Sequence, residues 1–307
     1  MLSDYLNFEA PLQSIDQEIA NAPLSDQKNL ERKREKILNS LYKNLDDWQV
    51  TQLARHPDRA HAKDVIDAIT DTRVSLSGDR LTGKCPATCA YIAKIDSHPV
   101  VIVAQQKGRS IQERIAHQYG MPNPCGYRLA MRAFELAKRY HYPIITLIDT
   151  PGAFPGIEGE IQNQSAAISE NLVYLSQVPT PVINIIIGEG MSGGALGIGV
   201  GDRMAMYQNS IFSVISPEGC AAILWKDAKK AKDACHKMQI TANRLIGHNL
   251  IDDIISEGKY GAAHVDFNGC FTATKQYIIE QIKHLKALPT DELLKQREQK
   301  LLQYGSC

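Results

Sequence analysis

An excess of charge of either sign is missing from this sequence. Lysine plus arginine and aspartate plus glutamate both number 34 in 307 residues, so no overall field points to nucleic acid or to an anionic membrane surface. Any apolar run of membrane-spanning length is also missing. The first residues, MLSDYLNFEAPL, carry an early acid and no apolar core, which argues against a signal peptide. Seven cysteines are scattered, and only Cys85 and Cys89 stand close, as C-x-x-x-C, with no second pair at zinc-ribbon spacing. Unpaired cysteines of this kind favour a reducing cytoplasm. The histidines, among them His56, His61 and His264, show no metal-ligand spacing, so structural or surface roles are expected of them and no metal in this chain. Low-complexity segments and solenoid repeats are absent. With 44% hydrophobic residues, what remains is an ordinary globular chain.

What is present centres on PTPVINIIIGEGMSGGALGIGVGD, residues 179–202. Val182, Ile183, Ile185, Ile186 and Ile187 are nearly continuous and β-branched, which predicts a strand covered on both faces. Gly188, Gly190, Gly193 and Gly194 follow, predicting a tight turn, and the small residues Ala195, Gly197 and Gly199 predict a closely packed helix. Free N–H groups at such a start suit a negatively charged oxygen, although a plain glycine-rich turn has the same pattern. One unit upstream, the strand PIITLID runs into DTPGAFPGIEGE. Its Pro151-Gly152 and Pro155-Gly156 turns predict a rigid loop at a strand's C-terminal end, where open α/β sheets bind ligands.

The other segments frame these two loops. Residues 1–50 read as a helical arm, with Leu12, Ile15 and Ile19 on one face and Leu30, Ile37, Leu41, Leu45 and Trp48 on another after the break at Pro23. Narrow stripes of this kind make the arm a candidate interface, and residues 51–307 form the main domain. CAYIAKI and PVVIVAQ predict neighbouring strands. Lys107, Arg109, Arg128 and Arg132 suit an anion or merely solvent. Ser216-Pro217-Glu218 reads as a helix start, with an N-cap serine, a first-turn proline and an acid.

Several of these segments together carry a resemblance. DTPGAFPG, GEGMSGGALGIGVGD and FSVISPEGCAAILWKDA, with QLARHPDRA, QKGR, GMPNPCGYR, ITANRL and LIDDII, span nearly the whole chain and resemble the carboxyltransferase alpha subunit of bacterial acetyl-coenzyme A carboxylase. The resemblance implies an α/β, crotonase-type spiral of ββα units with an N-terminal helical arm and C-terminal helices. It implies transfer of the carboxyl group from carboxybiotin on a biotin carrier protein to acetyl-coenzyme A, giving malonyl-coenzyme A. The implied partners are a beta subunit that carries a zinc ribbon, in an assembly of two alpha and two beta chains, and biotin carboxylase in the wider complex. Three regions depart from the family pattern: GDRLTGKCPATCAYIA at residues 78–93, IEGEIQNQ after Gly156, and GMSGGALG at residues 190–197, where GGSGGALA is common. A related acyl-coenzyme A substrate is therefore the alternative.

By the same resemblance, the backbone of Gly193 and Gly194, completed by Gly152 and Ala153, forms an oxyanion hole. Gly190, Met191, Ser192, Phe154, Pro155 and Gly156 line the carboxybiotin pocket. Backbone donors serve such chemistry because they stabilise developing charge without titrating. A competing reading takes Gly190-Met191-Ser192-Gly193-Gly194 as G-x-S-x-G, with Asp252 or Asp253 and then His264 completing a serine hydrolase triad.

Overall fold

A computed structural model describes residue 2 and residues 4–305; Met1, Ser3, Ser306 and the seventh cysteine, Cys307, lie outside the described residues. Eight strands form one sheet: β1 (Thr72–Leu76), β2 (Thr88–Ile95), β3 (His98–Gln105), β4 (Ile144–Thr150), β5 (Val182–Met191), β6 (Arg203–Tyr207), β7 (Ile211–Ser213) and β8 (Asp253–Ile255). The order is β1-β2-β3-β4-β5-β6-β8, antiparallel for the first two pairings and parallel from β3 onward. β7 pairs with β5 off this path. CAYIAKI and PVVIVAQ thus become the β2–β3 hairpin, turning at Asp96 and Ser97.

Strand alternation splits the core into two layers. Ile183, Ile185 and Ile187 of β5 point, with Ile145 and Leu147 of β4, to a layer closed by Val65, Ile66 and Ile69 and by Ile278, Ile282 and Leu285 of the helix Phe267–Lys286. Val182 and Ile186 point the other way. They meet Tyr127, Ala130, Phe134 and Ala137 of the helix Pro124–Tyr140 and Leu175 of the helix Gln164–Gln177. Every residue of β4 and β5 is buried, as the continuous apolar pattern requires of parallel strands covered on both faces.

The arm is the helix pair Ala10–Asn21 and Leu24–Leu41, broken at Pro23. Its stripes are covered within the chain: Leu12, Ile15, Leu38 and Tyr42 are buried with Leu53 and Ala262 of the main body, and Ile19, Leu30, Ile37 and Leu41 pack around them. The side expected to face a partner therefore faces the chain itself. The helix Asp47–Ala54 continues through residue 50 without interruption. Among the described residues no helix is long and apolar enough to cross a membrane.

Candidate active site

The glycine-rich unit departs from the expected strand, turn and helix in one respect. β5 does not stop at Gly188 but continues to Met191, because its register against β4 shifts between Ile148 and Thr150. Ile148 stands opposite Ile186, yet Thr150 stands opposite Gly190. The slack is a bulge. Gly188 makes room there for a side chain of the neighbouring strand: a Cβ at Gly188 would lie 2.6 Å from Asp149 Oδ1. Beyond Met191 the helix is short, Ser192–Leu196, and Ser192 enters it with φ of 54°.

The second loop meets the first directly. The Cα of Gly194 sits against the Gly152–Ala153 peptide, so that a Cβ there would approach Ala153 N to 2.6 Å and Gly152 C more closely still. Gly152 itself has φ of 146°, and its N–H and C=O both bond to the Thr150 hydroxyl, at 3.1 and 2.7 Å. The N–H groups of Ala153, Gly193 and Gly194 donate to no acceptor among the described residues. The structure therefore brings Gly193, Gly194, Gly152 and Ala153 together. Gly190 and Met191 are the buried end of β5, and Ser192 follows them. Phe154 and Pro155 continue the opposite loop, and the Phe154 ring lies over the backbone of Gly156.

An ionic network lies at the base of the two loops, with Asp149 and Glu189 buried and Lys107, Arg55 and Glu218 half-buried. Lys107 Nζ donates to Asp149 Oδ1 at 2.7 Å and to Glu189 Oε2 at 2.5 Å, tying the end of β4 to the end of β5. Glu189 also receives Arg55 Nε at 2.7 Å, and Arg55 reaches Glu218 at 2.7 Å. Burial works to raise the Glu189 carboxyl, but the charges of Lys107 and Arg55 outweigh it and hold the group at about 2. Beside this network a cavity of about 230 Å³ is lined by Arg55, His61, Lys107, Asp149 and Pro151. Burial pushes the His61 imidazole down to about 4, keeping it neutral near pH 7. Gln105, the last residue of β3, completes the support: its Nε2 donates to Gly194 O at 2.7 Å and its Oε1 accepts from Asp149 N at 3.1 Å.

The four basic residues left open between anion and solvent are all engaged. Lys107 is held as above, and Arg109 pairs with Asp64 at 2.6 Å. Arg128 donates to Gln162 O at 2.5 Å, and Arg132 donates to the carbonyls of Ser77 and Gly78. Sequence reasoning missed Gln105, Asp149 and Glu189 as supports. A polar residue closing each apolar strand run was the signal available.

The hydrolase triad is not assembled. His264 is buried and its Nε2 bonds to Glu9 Oε1 at 2.8 Å, against Tyr42 and stacked on His56. Asp252 is bound by Met204 N and Lys300, and Asp253 accepts from Tyr277 OH at 2.9 Å. The G-x-S-x-G match at Ser192 thus lacks its base and its acid.

Glu9, His56 and His264, which the sequence scatters, place ligand-type atoms within 4.8 Å of one another. Their arrangement does not fit a metal ion. The two imidazoles stack at 4.1 Å with planes 23° apart, which confines their lone pairs to separate, near-parallel planes, so an ion between them would lie well out of the plane of each ring. His56 Nδ1 also accepts the Asp58 N–H at 3.0 Å, where a metal-bound histidine would donate from its second nitrogen. The cluster instead surrounds one carboxylate with donors: Tyr42 OH at 2.6 Å, His264 Nε2 at 2.8 Å and Leu6 N at 2.8 Å. Burial opposes the charge on Glu9, and these hydrogen bonds overcome it, holding the carboxyl below its ordinary range. Cys85 and Cys89 also separate. Cys85 packs with Cys125, while Cys89 faces the opposite layer and donates to Ala104 O.

Comparison with known proteins bears on the family and the fold. Residues 5–305 match the family model described as acetyl co-enzyme A carboxylase carboxyltransferase-like. The acetyl-coenzyme A carboxylase carboxyl transferase subunit alpha of Campylobacter hominis is 45% identical over 308 residues, covering 99% of this chain and 98% of that protein. Its namesake from Pasteurella multocida is 44% identical over 318 residues, covering all of both. Among solved structures, a Pseudomonas malonate decarboxylase hetero-tetramer chain superposes with a TM-score of 0.60 at 15% identity, over 80% of this chain and 92% of that one. Transcarboxylase 12S superposes with a TM-score of 0.56 at 17% identity, over 75% of this chain and 44% of that one. These two likenesses concern the fold, which is the crotonase-like α/β architecture of carboxyltransferases. By its full-length matches, the chain belongs to the family of acetyl-coenzyme A carboxylase carboxyltransferase alpha subunits.

Proposed function

We infer that this chain is the half of an acetyl-coenzyme A carboxyltransferase that receives the biotin group, with Gly193, Gly194, Gly152 and Ala153 forming one oxyanion hole. The observation that supports the reading is the direct contact between Gly194 and the Gly152–Ala153 peptide, next to N–H groups of Ala153, Gly193 and Gly194 that have no acceptor among the described residues. Carrier-borne carboxybiotin supplies the carboxyl group when bound. Neutral N–H donors fit the ureido oxygen of such a group, because charge gathers on that oxygen as the carboxyl leaves. Each well-aimed donor of this kind contributes about 3 kcal/mol to the transition state.

The chain's own residues then have distinct tasks. Ala153, Gly193 and Gly194 hold the oxygen. Phe154, Pro155, Gly156, Gly190, Met191 and Ser192 shape the walls around it. Lys107, Asp149 and Glu189 carry charge beneath the hole, but their charges are mutually paired and buried, so the oxygen meets dipoles rather than ions. The donors assigned to the hole are backbone N–H groups, which stabilise developing charge without titrating.

A beta subunit and biotin-bearing components complete the system, as membership among the alpha subunits implies. We propose that the partner supplies the zinc ribbon and a second hole for the thioester, in an assembly of two alpha and two beta chains, with acetyl-coenzyme A as the acyl substrate. The test is carboxyl transfer by the purified chain with and without its beta subunit, a biotinylated carrier and a panel of acyl-coenzyme A thioesters. Activity is expected only with the partner and highest with acetyl-coenzyme A. Equal malonyl-coenzyme A formation by the isolated chain overturns the half-site, and preference for a longer acyl chain overturns the substrate.

A further inference from the structure

Two loops from different strands must keep a fixed separation if their N–H groups are to converge on one oxygen. Thr150 braces Gly152 locally, and the two strand ends are joined below the loops by the pairing of Thr150 with Gly190 and by the Glu189 N–H, which donates to Asp149 Oδ1 at 3.0 Å. Lys107 joins the two strand ends through flexible carboxylates. The amide of Gln105 does something different. It is 1% exposed, and it bonds the backbone of both units at once, Gly194 O from its Nε2 and Asp149 N to its Oε1. A primary amide holds a donor and an acceptor in one rigid plane. It can make this bridge only at one spacing of the two main chains.

We propose that Gln105 is the positioning residue of the hole, setting the distance between the Gly193-Gly194 and Gly152-Ala153 halves; the inference rests on the oxyanion-hole reading. Gln105 touches no reacting atom. It acts on Gly194 and on the peptide that leads through Thr150 into Gly152. Its loss leaves the Gly194 carbonyl with the Tyr127 hydroxyl at 3.2 Å, so the loop keeps one anchor and the chain keeps its fold. What changes is the spacing. Donor misplacement by a fraction of an ångström weakens transition-state binding while leaving acyl-coenzyme A binding untouched.

The test uses the assembled alpha–beta complex with a carboxybiotinylated carrier and acetyl-coenzyme A. Gln105→Met removes both hydrogen bonds at similar volume, and kcat is expected to fall by about 10- to 100-fold with KM within about twofold. Gln105→Glu gives a sharper readout. As a carboxylate the introduced group sets an acceptor against the Gly194 carbonyl; as a carboxylic acid it restores one donor and one acceptor in the same plane. Its kcat should therefore rise as pH falls, relative to the parent at each pH, which simple loss of packing would not produce. Parental kcat and pH profile in both variants overturn the proposal. Should Gln105→Met fail to fold, the Gln105→Glu profile decides alone, a pH ratio flat against the parent overturning it. Gly194→Val is assayed in parallel: full activity in that variant overturns the hole itself, whereas its inactivity beside parental Gln105 variants removes only the positioning role.

Discussion

At its N-terminal end β5 starts beside Arg297, a fully buried guanidinium that reaches it through Asp202. Arg297 donates to both oxygens of Asp202 at 2.8 and 2.7 Å and to the carbonyls of Leu175, Val178 and Thr180, while Asp202 accepts the Val182 N–H. All five guanidinium donors are used, as a buried charge requires. At its C-terminal end the same strand runs into a register shift, a positive φ at Ser192 and three N–H groups left without acceptors. One end satisfies every polar group and fixes the fold. The other leaves the N–H groups of Ala153, Gly193 and Gly194 without acceptors among the described residues. A buried ion network serves both ends, so burial and charge alone do not distinguish support from function; the distinguishing mark is which backbone groups remain unpaired.

The sharpest way to break this contrast is to exchange the expected symptoms. Arg297→Ala leaves the Asp202 carboxylate buried without its cation, with only the Val182 N–H still donating to it, and takes a donor from three buried carbonyls; it is expected to lower stability by about 3–5 kcal/mol in thermal or denaturant unfolding. Its activity per folded molecule should stay near the parent's, since the residue lies at the far end of β5. A lower kcat in fully folded protein would show that the two ends are coupled.

Gly194→Val should do the reverse, lowering carboxyl transfer by about 100-fold or more while complex assembly by gel filtration persists. The physical reason differs from shading of the ligand: the new Cβ would collide with Gly152 and Ala153 and push the two loops apart. Gly193→Ala sharpens the comparison. A Cβ there meets only Ile168, at 3.7 Å, so its loss of activity should be at least tenfold smaller, by roughly 1.4 kcal/mol or more in barrier.

Lys107→Met is expected to show both symptoms at once, because Lys107 is support for the functional end. Stability should fall by about 3 kcal/mol at pH 7, where the Asp149 and Glu189 carboxylates lose a buried partner. In the parent, Glu189 is held at about 2 against an ordinary 4.5. Its contribution is therefore complete above pH 4.5 and is lost as pH falls toward 2. In the variant burial acts with less opposition, so the stability gap between the two proteins should narrow on acidification. A gap constant from pH 7 to pH 3 would contradict the network as described.

The smallest effect expected is that of Ser192→Ala, less than about tenfold in rate, since the Ser192 side chain only shapes the wall beside the hole and supplies none of its donors. A dead variant in an assembled complex would return the serine to consideration as a nucleophile.

Much of this contrast was legible in the residues. The apolar run of β5, the alternation that sends Ile185 and Ile186 to opposite layers, and the paired Pro-Gly turns after β4 are local patterns, and local pattern dictates strands and turns. The family segments named Gly193, Gly194, Gly152 and Ala153 together, and the fold sets Gly194 against the Gly152–Ala153 peptide. What could not be read was pairing across the chain. Gln105 and Asp149 look like ordinary polar strand ends until the sheet sets them 3.1 Å apart. The arm's stripes predicted two amphipathic helices, but a stripe does not say what covers it, and here Leu53 and Ala262 do. The triad failed for the same reason: residue order is compatible with many geometries, and the fold spends His264 on Glu9.

That last contact joins positions 255 apart in the chain. Synthesis proceeds from the N-terminus at about 5–20 residues per second, so Glu9 waits on the order of ten to fifty seconds for its histidine to be made. Through that interval Leu12, Ile15, Leu38 and Tyr42 cannot be covered by Ala262, whose segment does not yet exist. The two arm helices can shield each other only in part. A nascent chain therefore carries an incompletely covered helix pair until the segment with Ala262 and His264 has been made, and the closing of Glu9 on His264 accompanies its covering.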